Sequence, residues 1–262
     1  MNFSLPTGIL FGGGLIYWLI TSEVSNPMIF ANPHSIGIVL GGTIAAALIC
    51  FPFEHFFNIF HVLIRALLGK QHKEIINVIN EIVEISEFSN DGGELTSKIE
   101  SVKNPFFKEC IELLVDNSLT VDELEEVLEK RVELQNERYR QENATFRIIG
   151  KFPPAFGLIG ATLGMIALLQ GLGAPDAFKS LGPAMSVALT ATFWGLLLAN
   201  LVLVPMGENL HLASQNDLIQ RRAIAEGTML IHDKKHPLVV EEFLKSYLTP
   251  KMRNKMKEIK VS

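Results

Sequence analysis

Among the hydroxyls inside long apolar stretches of this 262-residue sequence, Thr43, Thr162, Ser186, Thr190 and Thr192 stand at depth. In hydrocarbon such a group either bonds back to its own helix or lines a wet path. Ser186 and Thr190 share a helix face. No Asp or Glu accompanies them, and His34 sits only at the edge of its stretch. Membrane machines driven by ions hold and release the ion on a carboxylate or imidazole at depth. This chain alone therefore cannot relay a proton through a hydrocarbon layer. Either it is not ion-coupled, or a partner supplies the acid.

Two prolines add a mechanical element. Pro154 opens one apolar stretch, where proline costs little and can be purely structural. Pro205 closes another, although the helical pattern continues beyond it. A proline there frees a carbonyl and creates a possible hinge.

Other chemistry is missing. There is no phosphate loop, no HExxH, no GxSxG and no paired carboxylates in a plausible cleft. His55, His61, His72, His211, His232 and His236 show no ligand spacing, and Cys50 and Cys110 cannot build a disulfide framework or a zinc site. No catalytic residue, no cofactor and no metal site are expected, and the chain is read as no enzyme.

The elements that carry these residues follow from the charges. Hydrophobic residues make up 48%, charged residues 19%, and the net charge is −5. That excludes disorder and a basic nucleic-acid module. Four uncharged stretches are each long enough to cross a bilayer. They place spans near 5–20, 35–53, 154–172 and 182–204. The first stretch has no basic flank of the kind a signal peptide needs. Of the 23 Lys and Arg, 22 fall in 54–151 and 206–262, with Lys179 alone between spans three and four. Arg65, Lys70 and Lys73 follow span two, and Arg138, Arg140, Arg147 and Lys151 precede span three. The excess of positive charge places both termini in the cytoplasm.

The expected fold is all-α and polytopic, with four transmembrane helices and a helical cytoplasmic domain. Its expected parts are a hairpin of spans one and two (1–53), a cytoplasmic loop domain (54–151), a hairpin of spans three and four (152–205) and a cytoplasmic tail (206–262). Within the loop, Ile75, Ile76, Ile79, Ile82 and Val83 repeat at helical spacing, as do Phe106, Phe107, Cys110, Ile111 and Leu114. Thr120 and Glu123 fit a capping box, and Asn90–Gly93 a turn. A charged, solvated helix is expected over 125–142. His236–Pro237 breaks the tail, and a basic end (Lys251, Arg253, Lys255, Lys257, Lys260) follows with no specific role assigned. Small residues (Gly157, Gly160, Ala161 and Gly164 in span three; Gly41, Gly42, Ala45 and Ala46 in span two; Ala184, Ala188, Gly195 and Ala199 in span four) allow close helix approach, within one subunit or between subunits.

Several segments together resemble the motility protein A family (MotA/PomA), the channel-forming subunits of the bacterial flagellar stator. Asn32-Pro-His-Ser-Ile-Gly-Ile-Val-Leu-Gly-Gly-Thr43, ending in Cys50-Phe-Pro-Phe53, is similar to the family's second span. Pro154-Ala-Phe-Gly-Leu-Ile-Gly160 resembles its third. Gly182-Pro-Ala-Met-Ser-Val-Ala-Leu189, Thr192-Phe-Trp-Gly195 and Leu198-Ala-Asn200 resemble its fourth. Glu226-Gly227 and the segment 244–250 resemble its C-terminal pattern.

The resemblance implies a flagellar motor component of the inner membrane, a pentameric ring around a dimer of a B-type subunit. That partner has one span, a membrane Asp and a peptidoglycan-binding domain. Ion passage turns the ring, and the cytoplasmic loop pushes the rotor's switch protein. Pro154 and Pro205 match the family's two coupling prolines, and Thr192 a pore-facing hydroxyl. Sodium-driven members tend to carry Thr at the positions of Ala161 and Ala191, so Ala at both implies protons, with Thr162 and Thr190 close enough to compensate. The implied ion path is Ala161, Thr162, Ala191 and Thr192. The loop departs from the family: Asn90-Asp91 precede the Gly-Gly turn where a basic residue is common, and Lys98 stands where an acid is usual. Asp91, Glu94, Lys98, Glu100, Lys103, Lys108 and Glu109 are the rotor-facing candidates. The alternative is a TolQ/ExbB-like proton-driven energiser of an envelope system, relatives that usually have three spans and a different loop order.

Overall fold

The computed structural model describes residues 4–53, 75–172 and 177–261, with side chains omitted for 177–180 and 257–261. Arg65, Lys70 and Lys73 lie outside the described residues, as does the side chain of Lys179. All regular structure described is helical. Helix α1 is Ser4–Glu23, and a 3-10 turn at Pro27–Ala31 leads into α2, Pro33–Cys50. Then come α3 (Ile75–Asn90), a 3-10 segment Leu95–Ser101, α4 (Pro105–Asp116) and α5 (Val121–Ile149). Helix α6 is Phe152–Gly171 and α7 is Ala177–Leu197. A π-helical stretch, Leu198–Leu203, joins α7 to α8, Val204–His232. The chain ends in α9 (Pro237–Leu244), a 3-10 turn Lys245–Tyr247, and α10 (Pro250–Val261).

The chain forms two compact units. The first takes Met1–Gln71 and Arg140–His211, so both expected hairpins belong to one body. The second takes His72–Tyr139 and Leu212–Ser262, joining the loop to the tail. Among the described residues, four helices are long and apolar enough to cross a membrane: Ser4–Glu23, Pro27–Cys50, Val121–Gly171 and Leu181–His232, two of them extended well past a bilayer's thickness by polar turns.

Local chemistry explains the starts and stops. Asn32 Oδ1 accepts the His34 and Ser35 amides at 3.0 and 3.4 Å, and Pro33 needs no partner for a missing N–H. Asn104 repeats the arrangement ahead of Pro105, accepting from Phe106 and Phe107. The capping box is present: Glu123 Oε2 accepts the Thr120 amide at 2.8 Å, and Thr120 Oγ1 accepts the Glu123 amide at 3.4 Å. Gly92 turns the chain after α3 with φ +82°, a region a Cβ disfavours. His236 Nδ1 caps α9 by accepting the Leu238 amide.

The second unit is held by an ordinary hydrophobic core. Ile76, Ile79 and Ile82 of α3 meet Phe107 and Ile111 of α4, Leu128 of α5, and Ile224 and Ile231 of α8, all essentially buried. Each fully buried side chain of this size contributes about 1.5–3 kcal/mol. The cap on α5 is a smaller term: Thr120→Ala should cost about 1 kcal/mol, read as a lower unfolding midpoint of the purified protein. An unchanged midpoint would show that the α5 start is fixed by packing alone.

A polar cluster ties α5 to α8 in this unit. The Tyr139 hydroxyl donates to Asp217 Oδ2 at 2.7 Å, Arg221 Nε donates to the same oxygen at 2.6 Å, and the guanidinium lies 4.7 Å over the Phe106 ring. Burial, and then the neighbouring Asp217, push the Tyr139 hydroxyl up to about 12. Because the folded value is raised, its stabilisation is complete below the unfolded value near 10 and is lost as pH climbs through 12. Stability should therefore fall between pH 10 and 12, and Tyr139→Phe should flatten that fall. An alkaline unfolding series on both proteins checks it.

Candidate functional site

In the first unit, α6 and α7 form a hairpin whose backbones nearly touch, and α2 packs against both. Glycine permits this. A Cβ on Gly157 would lie 2.9 Å from the Ala191 carbonyl oxygen, and one on Gly164 2.8 Å from the Ala184 carbonyl oxygen. A Cβ on Gly195 would lie 2.5 Å from the Pro153 carbonyl oxygen. Gly157, Gly160 and Gly164 of span three thus face Ala191, Ala184 and Ala188 of span four within one protomer. Ala161 lies outside this seam and is half-exposed.

The hydroxyls are placed as follows. Thr43, Thr162 and Thr190 donate to Val39, Ile159 and Ser186 carbonyls in their own helices, at 2.6, 2.7 and 2.6 Å. Thr162 is exposed on α6. Thr192 is half-buried and reaches the Ala188 carbonyl at 3.2 Å and the Gly157 carbonyl at 3.5 Å. Ala191 is fully buried, its methyl held against Gly160, so it occupies no open face of the protomer. Thr190 is also buried and turns toward α2 rather than toward Thr162.

Sequence reasoning missed two ties across this unit. Ser35 Oγ lies 2.7 Å from Thr190 Oγ1 and donates to the Val187 carbonyl at 3.1 Å, locking α2 to α7. Trp194 Nε1 donates to the Phe30 carbonyl at 2.6 Å, while the Phe30 ring meets Phe193 edge-on at 5.0 Å. These partners stand more than 150 residues apart, beyond any local pattern.

Pro154 is the third residue of α6, where its missing N–H has no intrahelical role to fill. Beyond Leu203 the helix does not break at Pro205. Instead the preceding turn widens, and the Val204 amide bonds the Ala199 carbonyl five residues back. In α register the proline ring would collide with the carbonyl four residues earlier, and the wider π turn relieves that contact.

The loop candidates fall in the second unit. Asp91 is exposed at the Gly92 turn. Lys98 pairs with Glu84 at 3.6 Å and lies 5.2 Å over the Phe88 ring. Lys108 pairs with Glu100, and Glu109 with Arg131, each at 3.1 Å. The Lys103 amide donates to Glu81. Glu94 precedes the 3-10 segment. No sequence pattern marks the partners Glu81, Glu84 and Arg131, since spacings of 14 or 22 residues carry no signal. Such solvated pairs contribute little stability.

Comparison with known proteins agrees with this architecture. Residues 98–223 match the MotA/TolQ/ExbB proton channel family. The chain is 34% identical to the chemotaxis protein PomA of Vibrio alginolyticus over 249 residues, 95% of this chain and 96% of that one. It is 31% identical to motility protein A of Aquifex aeolicus (strain VF5), covering 81% and 84% of the two. A structure of the flagellar MotAB stator complex from Bacillus subtilis superposes with a TM-score of 0.85 at 25% identity, covering 95% of this chain and 97% of that one. A structure of C. jejuni MotAB gives the same TM-score at 23% identity and shows the same fold. With 34% identity to PomA over nearly its whole length, and the family match over 98–223, the chain belongs to the MotA/TolQ/ExbB proton channel family, among its flagellar stator members.

Proposed function

We propose that this chain is the A-type subunit of a proton-driven flagellar stator of the inner membrane. Its spans are the wall of the ion path and a B-type partner with one span supplies the acid. Five copies surround a dimer of that partner, which a peptidoglycan-binding domain anchors. Both termini and the second unit lie in the cytoplasm. Exposed Tyr17 and Trp18 near the end of α1 suit the opposite interface, where amphipathic rings settle.

The observation that carries this reading is an exposed Thr162, a half-exposed Ala161 and a half-buried Thr192 on spans that hold no carboxylate. These residues line the path as polar and small wall groups, and the proton is carried elsewhere. Ala161 leaves room for water but offers no oxygen to a sodium ion, and the buried Ala191 offers none either. Pro154 and Pro205 couple ion passage to movement. Asp91, Lys98, Glu100, Lys103, Lys108 and Glu109 supply charges that meet the rotor's switch protein, with Lys98, Glu100, Lys108 and Glu109 already held in internal pairs.

Reconstitution tests the reading. The two-subunit complex in proteoliposomes should take up protons under an imposed voltage, and this chain alone should not. Proton uptake by the chain without a partner would overturn it.

A further inference from the structure

The second unit carries two features that the ion path does not use. One is a groove between α5, α8 and α9. Its apolar floor is Leu128, Met229 and Leu230, with Phe243 at the edge, and its rim is Glu125, Glu129, Glu226 and Asp233. This cavity holds about 220 Å³. An adjoining cavity of about 320 Å³ shares Glu129, Ala225 and Glu226 and ends at Arg222 and Tyr247. Neither Glu125 nor Glu129 forms an ion pair with a Lys or Arg among the described residues. Phe243 remains about half exposed.

The other feature is α10. Over Pro250–Val261 the sequence carries five cations, Lys251, Arg253, Lys255, Lys257 and Lys260, and one acid, Glu258. Met256 buries itself in the core of its own unit, which fixes the helix in place. Lys251 and Arg253 stay exposed, with Met252 between them 40% exposed. Arg253 Nε donates to the Leu248 carbonyl at 3.1 Å, which holds the first turn.

We propose that the basic first turn of α10 in one copy docks into the acid-rimmed groove of the next copy around the ring. The proposal rests on the oligomeric reading above. A closed ring needs head-to-tail contacts, with two different and complementary surfaces on every chain. An apolar floor with an acidic rim on one surface, and a methionine flanked by cations on the other, meet that requirement. An anionic lipid surface would take α10 but would leave the acidic groove unpartnered and repelled. The neighbour's groove accounts for both. Being largely solvated, the contact is screened by salt.

Directed cross-linking in the full complex with its B-type partner tests the pairing. The background is Cys50→Ser, with the buried Cys110 kept. Two differently tagged copies are co-expressed, one carrying Glu129→Cys and the other Lys251→Cys. Oxidation should give a mixed-tag dimer that neither variant forms alone. A complex that elutes intact yet gives no mixed-tag product would overturn the docking while leaving the ring intact. A complex containing a single copy of this chain would overturn the ring itself. Charge reversal supplies the second arm. Glu125→Lys with Glu129→Lys should lower the yield of intact complex in moderate salt about tenfold, and Lys251→Glu with Arg253→Glu should restore it. Absence of rescue overturns the pairing. So does loss of binding to phosphatidylglycerol vesicles on reversing Lys251 and Arg253 when no mixed-tag product forms, since that assigns α10 to lipid.

Discussion

Replacing Pro205 with alanine should abolish swimming, more than tenfold in swim-plate expansion, while the amount of assembled complex stays near normal. The reason lies in the turn ahead of it. Leu198–Leu203 is wound as a π-helix because residue 205 has no N–H and its ring cannot tolerate a carbonyl one α-turn back. Alanine restores the donor and removes the ring. The wide turn can then tighten to α register, and losing one residue from the turn rotates everything beyond it by about 100°. Helix α8 begins at this point, and its residues from Leu212 onward carry the register error along the helix. The Pro205 side chain is only half-buried, so folding survives. Pro154→Ala should act in the same direction more weakly, because proline in a first helical turn is merely preorganised. Swimming, cell-body rotation under load and complex yield are the measurements. Unchanged torque in both variants would remove the prolines from the coupling mechanism.

Gly195→Val should have the opposite signature, with loss of the complex itself. A Cβ there would sit 2.5 Å from the Pro153 carbonyl oxygen, and that neighbour is backbone, which cannot rotate away. Gly157→Val meets the Ala191 carbonyl at 2.9 Å from the other side of the same seam. Overpacking a well-filled contact costs about 1–3 kcal/mol, and more when backbone must move. In hydrocarbon no hydrophobic gain offsets it, because helices associate there through close packing and hydrogen bonds. Both variants should fall below detection by size-exclusion chromatography of the solubilised complex. Gly8→Ala, where a Cβ meets nothing within 4 Å, should behave as wild type. A normal elution profile for Gly195→Val would mean that α6 and α7 are free to separate, and the seam would lose its role.

These two outcomes separate force transmission from assembly. Gly195→Val attacks the rigid hairpin on which Thr192 and Ala161 depend for their positions. Pro205→Ala attacks the helix that leaves it. The Ser35–Thr190 and Trp194–Phe30 bonds belong with Gly195 to assembly, since they hold α2 and the Pro27–Ala31 turn against α7.

Sequence alone determined the four spans, their lengths within a few residues, and the absence of an acid within them. Exclusion of charge from hydrocarbon is so costly that it is written directly in the residue order. It also determined the α5 cap and the break at His236–Pro237, because both are made by neighbours within three residues. Tertiary structure decided what long-range contacts decide. It put Ala191 under Gly160 rather than on an open face, turned Thr190 toward Ser35, and paired Lys98 with Glu84. It joined the loop and the tail into one unit through a shared core from α3 to α10. Helical periodicity says which residues share a face, but which neighbour that face meets depends on how segments a hundred residues apart pack together. The proline at 205 shows both halves: its presence announced a disturbed helix, and the tertiary structure takes up that disturbance as a π turn instead of a break.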